Sequence, residues 1–125
     1  WRGVLLPALL GKRSPLEASI MLAVVGGLWH LPIDLYAGFG VMGPGAILVR
    51  ILFLVPLSIL FTWFYLRSNG NVLIAILLHT SLNVMGDLGL SRYETTAIVF
   101  GLLTGVVAVV LSAFSPGLRR ASDGG

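Results

Sequence analysis

The chain alternates long uncharged stretches with short polar breaks. Five uncharged stretches follow one another, at residues 18–33, 35–49, 51–66, 68–86 and 95–118. They are apolar on all sides and lack the period-two alternation of barrel strands, so helices are the spanning element that fits them. A bilayer-spanning helix takes ~20 mostly apolar residues. The pattern therefore predicts an all-α, polytopic transmembrane helix bundle with about four spans, preceded by the end of an earlier helix.

Capping and breaking residues indicate where the first span begins and ends. Ser14-Pro15-Leu16-Glu17 has the form of a capping box with proline at the first helical position. It predicts a helix through Ala18–Leu31, which Pro32 is expected to stop. The glycine-rich stretch from Asp34 to Gly45 is predicted to be a loop or a re-entrant link.

Similar signals delimit the second and third spans. A helix over about 46–66 is expected to kink at Pro56. Arg67-Ser68-Asn69-Gly70 predicts a tight turn, and Asn71 is predicted to cap a third helix over about 72–86.

The last span is predicted over about 94–115, with a second capping box at Ser91–Glu94. Gly101 and Gly105 form a small-xxx-small pair in this span, which indicates either a dimer face or, more commonly, close packing inside one bundle. Dimerisation is therefore left open. Residues 119–125 are predicted to be a polar tail, and residues 1–118 to belong to one domain.

Composition agrees with a membrane protein. Only 10% of the 125 residues are charged, 57% are hydrophobic, and the mean hydropathy is +0.98, whereas soluble domains are ~25% charged. The absence of cysteine excludes disulfides, thiolate chemistry and cysteine-ligated metals. The net charge of +3 comes mostly from cations beside helix ends, which fits the positive-inside rule and a lipid bilayer rather than nucleic acid.

Two histidines and an asparagine interrupt the apolar spans. His79 lies four residues before Asn83 within 68–86, and His30 ends the first apolar run. Four residues turn a helix by ~400°, so His79 and Asn83 are predicted to share a face. With both histidines near mid-membrane depth, these polar groups are predicted to converge on one site, because intramembrane ionisable residues default to function. The structural alternatives are an interfacial role for His30 and interhelical hydrogen bonding for His79 and Asn83.

This constellation is compatible with two kinds of chemistry. His30 and His79 would supply two ligands of a zinc site, but a catalytic zinc takes three protein ligands, and neither Glu17 nor Asp34 has a compelling position for the third. Alternatively, a carboxylate would activate water while His and Asn donors stabilise an oxyanion. Both schemes need a carboxylate at the site, and no carboxylate in this sequence has a compelling position for that role.

Three motifs resemble those of the CPBP family (CAAX proteases and bacteriocin-processing enzymes, also called Abi). Trp1-Arg2-Gly3 through Pro7 is similar to the end of the first motif, Glu-Glu-x-x-x-Arg, with Arg2 at the arginine. His30 matches the histidine of Phe-x-x-x-His, although Gly26 stands at its aromatic position. His79 and Asn83 match His-x-x-x-Asn at both defining positions.

The resemblance implies an intramembrane endopeptidase with the catalytic residues His30, His79, Asn83 and Arg2. The two glutamates of the first motif would precede Trp1, so residues 1–118 would be the C-terminal part of the domain. Residues 1–125 alone are then expected to be inactive. A glutamate with His30 would activate water, His79 and Asn83 would stabilise the oxyanion, and Arg2 would orient the second glutamate.

The family has been described both as metal-dependent and as glutamate-dependent without a metal. The missing third ligand favours no cofactor, with zinc on His30 and His79 as the alternative. Expected partners are a peptide or protein substrate, either prenylated or a bacteriocin leader, and the bilayer. The expected location is multi-pass in a membrane, the plasma membrane if bacterial. The alternative function is a non-catalytic scaffold or immunity protein with the same fold.

Overall fold

The structure, a computed structural model, describes residues 2–36, 45–87 and 94–118. Within these ranges the regular elements are all helical, which confirms the predicted all-α helix bundle. The helices are α1 (Leu5–Leu10), α2 (Pro15–Trp29), α3 (Leu31–Tyr36), α4 (Gly45–Arg67), α5 (Val72–Asp87) and α6 (Glu94–Phe114), followed by a 3₁₀ turn at Pro116–Leu118. Helix α4 is central, because it packs against α2, α5 and α6.

The helix surfaces are apolar on their outer sides as well as at their contacts. Pro15–Ile33 and Ile47–Arg67 are long and apolar enough to cross a membrane, and Val72–Val84 and Ile98–Phe114 are shorter apolar segments. Large side chains of α6 face outward, with Leu102 65% and Val109 69% exposed, among many others. Apolar patches of this extent suit lipid chains rather than water.

The helix ends confirm most of the predicted caps. In the capping box, the Glu17 N–H donates to Ser14 Oγ at 3.3 Å and the Ser14 N–H donates to Glu17 Oε2 at 3.0 Å. The Leu73 N–H donates to Asn71 Oδ1 at 2.9 Å, which starts α5. The turn between α4 and α5 is also as predicted, because Asn69 and Gly70 both have positive φ, at 53° and 80°.

The end of the first span differs from the prediction that Pro32 stops the helix. Helix α2 ends at Trp29, His30 is its C-cap, and Pro32 lies in the first turn of α3. A proline N has no hydrogen to donate to the carbonyl four residues earlier, Leu28 O, so the ladder breaks before the proline. Proline is tolerated in a first turn, where N–H groups lack intrahelical partners, so a new helix starts directly. The predicted link from Asp34 therefore begins later, because Asp34 is still within α3.

Other sequence predictions lie outside the described residues. These are the link at 37–44, the residues Ser91 to Tyr93 of the second capping box, and the polar tail at 119–125. The domain boundary at 118 stays a prediction.

One glycine of the predicted small-xxx-small pair makes a close contact within the bundle. A Cβ at Gly101 would overlap the ring of Phe53 on α4, whereas a Cβ at Gly105 would meet nothing within 4 Å. Gly101 thus lets α6 approach α4, as the packing interpretation predicts.

Candidate functional site

A cavity of about 540 Å³ lies between α2, α4 and α5. Its size falls within the range of ~300–1,000 Å³ that is usual for ligand pockets. Each of the three helices presents one face to it, at positions three and four residues apart. The lining residues of α5 are Val72, Ala75, Ile76, His79, Thr80, Leu82 and Asn83; those of α4 are Leu54, Leu57, Ser58 and Phe61; those of α2 and its C-cap are Leu22, Ala23, Gly26, Trp29 and His30.

The structure brings together all four residues that the sequence singles out. Arg2, His30, His79 and Asn83 all line this cavity, although they come from three separate parts of the chain. The cavity wall around them is largely apolar and includes leucine, valine, isoleucine, alanine, phenylalanine and tryptophan side chains. The arrangement is a group of polar side chains within an apolar chamber, and their catalytic roles stay predictions.

The start of α5 determines where His79 and Asn83 face. The positive-φ turn at Asn69 and Gly70 reverses the chain, and the Asn71 cap fixes the first turn of α5. His79 and Asn83 then fall one turn apart on the face that lines the cavity, as their spacing predicts. Both side chains are exposed, so their polar atoms are accessible from the cavity.

His30 lies at the break between α2 and α3. Its N–H bonds to Gly27 O at 3.2 Å, and its carbonyl accepts from the Ile33 N–H at 3.1 Å. These i to i+3 bonds form the tight turn that joins α2 to α3. Gly27 also allows α2 to lie close to α4, because a Cβ there would overlap Ile51. The helix break and the close approach of Gly27 to Ile51 together place His30 at the wall of the cavity.

Arg2 is held by one face of α4. Its Nη1 donates to Ser58 O at 3.2 Å and to Thr62 Oγ1 at 3.1 Å, and its Nη2 donates to Ser58 Oγ at 3.2 Å. Its Cζ lies 4.6 Å from the centroid of the Phe61 ring, in the geometry of a cation–π interaction. All of these partners are neutral.

A buried serine on α2 supports this arginine site. Ser19 Oγ lies 2.8 Å from Thr62 Oγ1 and 2.7 Å from Pro15 O, and Thr62 Oγ1 donates to Ser58 O at 2.9 Å. Ser19 and Thr62 are both 0% exposed. Because a buried hydroxyl without a partner is costly, this network favours one relative position of α2 and α4.

Phe61 contacts two of the predicted site residues. The Arg2 guanidinium lies over the face of the Phe61 ring. The centroids of the Phe61 and His79 rings are 6.5 Å apart, and the angle between the ring planes is 63°. This is an edge-to-face arrangement. Phe61 is 4% exposed and therefore packed tightly in position.

Sequence reasoning missed Phe61, Ser19, Ser58 and Thr62. Hydroxyl residues in apolar helices commonly bond to their own backbone, so they carry little information alone. The sequence feature that could have identified these α4 residues is their spacing, which places Ser58, Phe61 and Thr62 on a single face of the helix.

The described residues of the cavity supply two of the three protein ligands that a catalytic zinc takes, His30 and His79. Among the described residues no three His, Cys, Asp or Glu side chains are grouped so that they could hold a metal, and a catalytic zinc takes three protein ligands. Of the described cavity-lining residues none is a carboxylate. Glu17 is engaged at the start of α2 in the capping box. What the cavity itself offers is imidazole, amide and guanidinium groups, which can transfer protons or stabilise negative charge.

Comparisons with known proteins agree with the motifs in the chain. Residues 1–85 match the family model described as type II CAAX prenyl endopeptidase Rce1-like. A curated relative, CAAX prenyl protease 2 of Methanococcus maripaludis, is 26% identical over an alignment of 125 positions, which covers 89% of this chain and 43% of that protein. The chain thus spans less than half the length of this relative. No solved structure matches the chain.

Proposed function

Because the chain belongs to the Rce1-like family of type II CAAX prenyl endopeptidases, we propose that the protein is an intramembrane endopeptidase that works at the cavity between α2, α4 and α5. The observation that carries the proposal is the shared cavity of Arg2, His30, His79 and Asn83. Polar residues placed at random along apolar helices would have no reason to meet in one cavity.

The proposed reaction is hydrolysis of a peptide bond by an activated water. By resemblance to the family, a glutamate of the first motif, together with His30, takes a proton from the water that attacks the scissile carbonyl. His79 and Asn83 donate hydrogen bonds to the oxygen on which negative charge develops. Their accessibility from the cavity supports this role.

Arg2 is proposed to orient the second glutamate of the motif. A guanidinium has five N–H donors, and Arg2 makes three hydrogen bonds to α4. Donors therefore remain for a carboxylate. The neutral character of all its partners supports this role, since a desolvated cation is stabilised by an opposite charge.

The proposed substrate is a peptide with a lipid-modified C-terminus. The apolar walls of the cavity favour a chain segment with apolar character, and the relative from Methanococcus maripaludis carries the name of a prenyl protease. A bacteriocin leader is the alternative substrate. The protein is proposed to cross the membrane several times, with all four long helices, α2, α4, α5 and α6, in the bilayer.

The test is peptidase activity of the full-length protein in liposomes on a prenylated C-terminal peptide. Cleavage that persists in excess chelator is expected, because in the proposed mechanism the glutamate and His30 activate the water without a metal. A polypeptide of residues 1–125 is expected to be inactive beside it, because no described carboxylate lines the cavity. Loss of activity with chelator and its return with zinc would contradict the metal-free mechanism. The absence of any cleavage by the full-length protein would favour the scaffold function.

A further inference from the structure

Phe61 lies between two of the ionisable groups of the site, Arg2 and His79. The face of its ring carries Arg2, with 4.6 Å between Cζ and the centroid, and the ring lies 6.5 Å from His79 at 63°. Arg2 is on the N-terminal segment and His79 is on α5, so the ring joins two parts of the chain through α4.

The ring position is itself fixed. Ser58, one turn before Phe61, and Thr62, the residue after it, accept hydrogen bonds from the guanidinium that lies over the ring. Thr62 is tied in turn to Ser19 of α2. A ring that is 4% exposed and flanked in this way has little freedom to turn.

The electrostatics of the Phe61 ring suit Arg2. An aromatic ring has a negative face and a positive edge. The face is where Arg2 lies, and it attracts a cation more strongly when water is excluded. The described partners of Arg2 are otherwise neutral, so the ring adds to the stabilisation of its charge.

We propose that Phe61 is a positioning residue of the protease, which holds Arg2 on its face and orients the His79 imidazole toward the reacting carbonyl. This inference rests on the proposed function, because the orientation of His79 has a catalytic value only if the cavity hydrolyses peptides. Phe61 acts through its neighbours and makes no contact with the scissile bond.

The test replaces Phe61 in the full-length protein with fluorinated phenylalanines carrying one, two or three fluorines. These changes nearly preserve ring shape but progressively weaken the negative face. The expected result is a stepwise fall in kcat, reaching roughly tenfold for the trifluorinated ring, with KM unchanged. Phe53 is the matched control, because it is on the same helix but packs against Gly101 of α6. The same series at Phe53 should leave kcat unchanged.

A second measurement separates this proposal from the proposed function. In histidine-labelled protein, ¹⁵N relaxation reports the mobility of the His79 imidazole, whose resonance is assigned by its loss in His79→Gln. Phe61→Leu should make the imidazole more mobile, whereas Phe53→Leu should not. An unchanged kcat through the Phe61 series, or in a protein without peptidase activity an unchanged His79 mobility in Phe61→Leu, would overturn the positioning role.

Discussion

Replacement of His79 by alanine in the full-length protein is expected to abolish peptide-bond cleavage. His79 lines the cavity from α5 and is proposed to donate to the oxyanion. Removal of one such donor typically lowers kcat by ~10²–10³-fold, because the interaction is made mainly in the transition state. Folding should be little affected, since the side chain is exposed and not part of a buried cluster.

The measurement is kcat on a prenylated peptide, together with the unfolding midpoint in detergent. Ser81→Ala is the matched control, because Ser81 lies two residues away, is exposed, does not line the cavity, and bonds to Leu77 O of its own helix at 2.8 Å. Its kcat should equal that of the wild type. Wild-type turnover by His79→Ala would remove His79 from the mechanism.

Replacement of Arg2 by methionine is expected to lower both stability and activity. Methionine retains much of the apolar volume but loses three hydrogen bonds to Ser58 and Thr62 and the contact with the Phe61 ring. Hydrogen bonds to charged groups contribute ~1.5–3 kcal/mol, and the acceptors left behind are buried. A decrease of about 2 kcal/mol in the free energy of unfolding is therefore expected.

Arg2→Lys tests whether the positive charge alone accounts for the contribution of Arg2. Lysine keeps the charge but has no planar fork, so it cannot reach Ser58 and Thr62 at once while lying flat on the ring. It should restore little of the stability or activity. Arg13→Met is the control, because Arg13 is exposed in the segment between α1 and α2. Full activity and stability of Arg2→Lys would show that charge alone suffices at this position.

The sequence predicts the parts of the site that depend on one helix at a time. The four-residue spacing of His79 and Asn83 is enough to put both on one face, since helical periodicity is local. The capping box at Ser14 and Glu17 is local in the same sense. The resemblance added Arg2, which no periodicity would have singled out.

The site residues that the sequence did not predict depend on contacts between distant segments of the chain. Arg2 bonds to residues 56 and 60 positions further along the chain, and Ser19 bonds to a residue 43 positions further on. Nothing in the pattern around Ser58 or Thr62 specifies which helix lies opposite. The helix break was misplaced for a local reason, because the effect of Pro32 falls on the preceding turn and not on its own position.

Site-directed modification of the cavity tests the central claim most directly. The 125 residues contain no cysteine, so a cysteine introduced among them is the only thiol in this part of the protein. Thr80 lines the cavity and its neighbour Ser81 does not, although both are exposed on α5. We expect Thr80→Cys in the full-length protein to lose its peptidase activity on reaction with a small methanethiosulfonate, and the peptide substrate to slow that loss. Ser81→Cys should keep its activity under the same treatment. Full activity of modified Thr80→Cys, or loss of activity that the substrate does not slow, would contradict catalysis in this cavity.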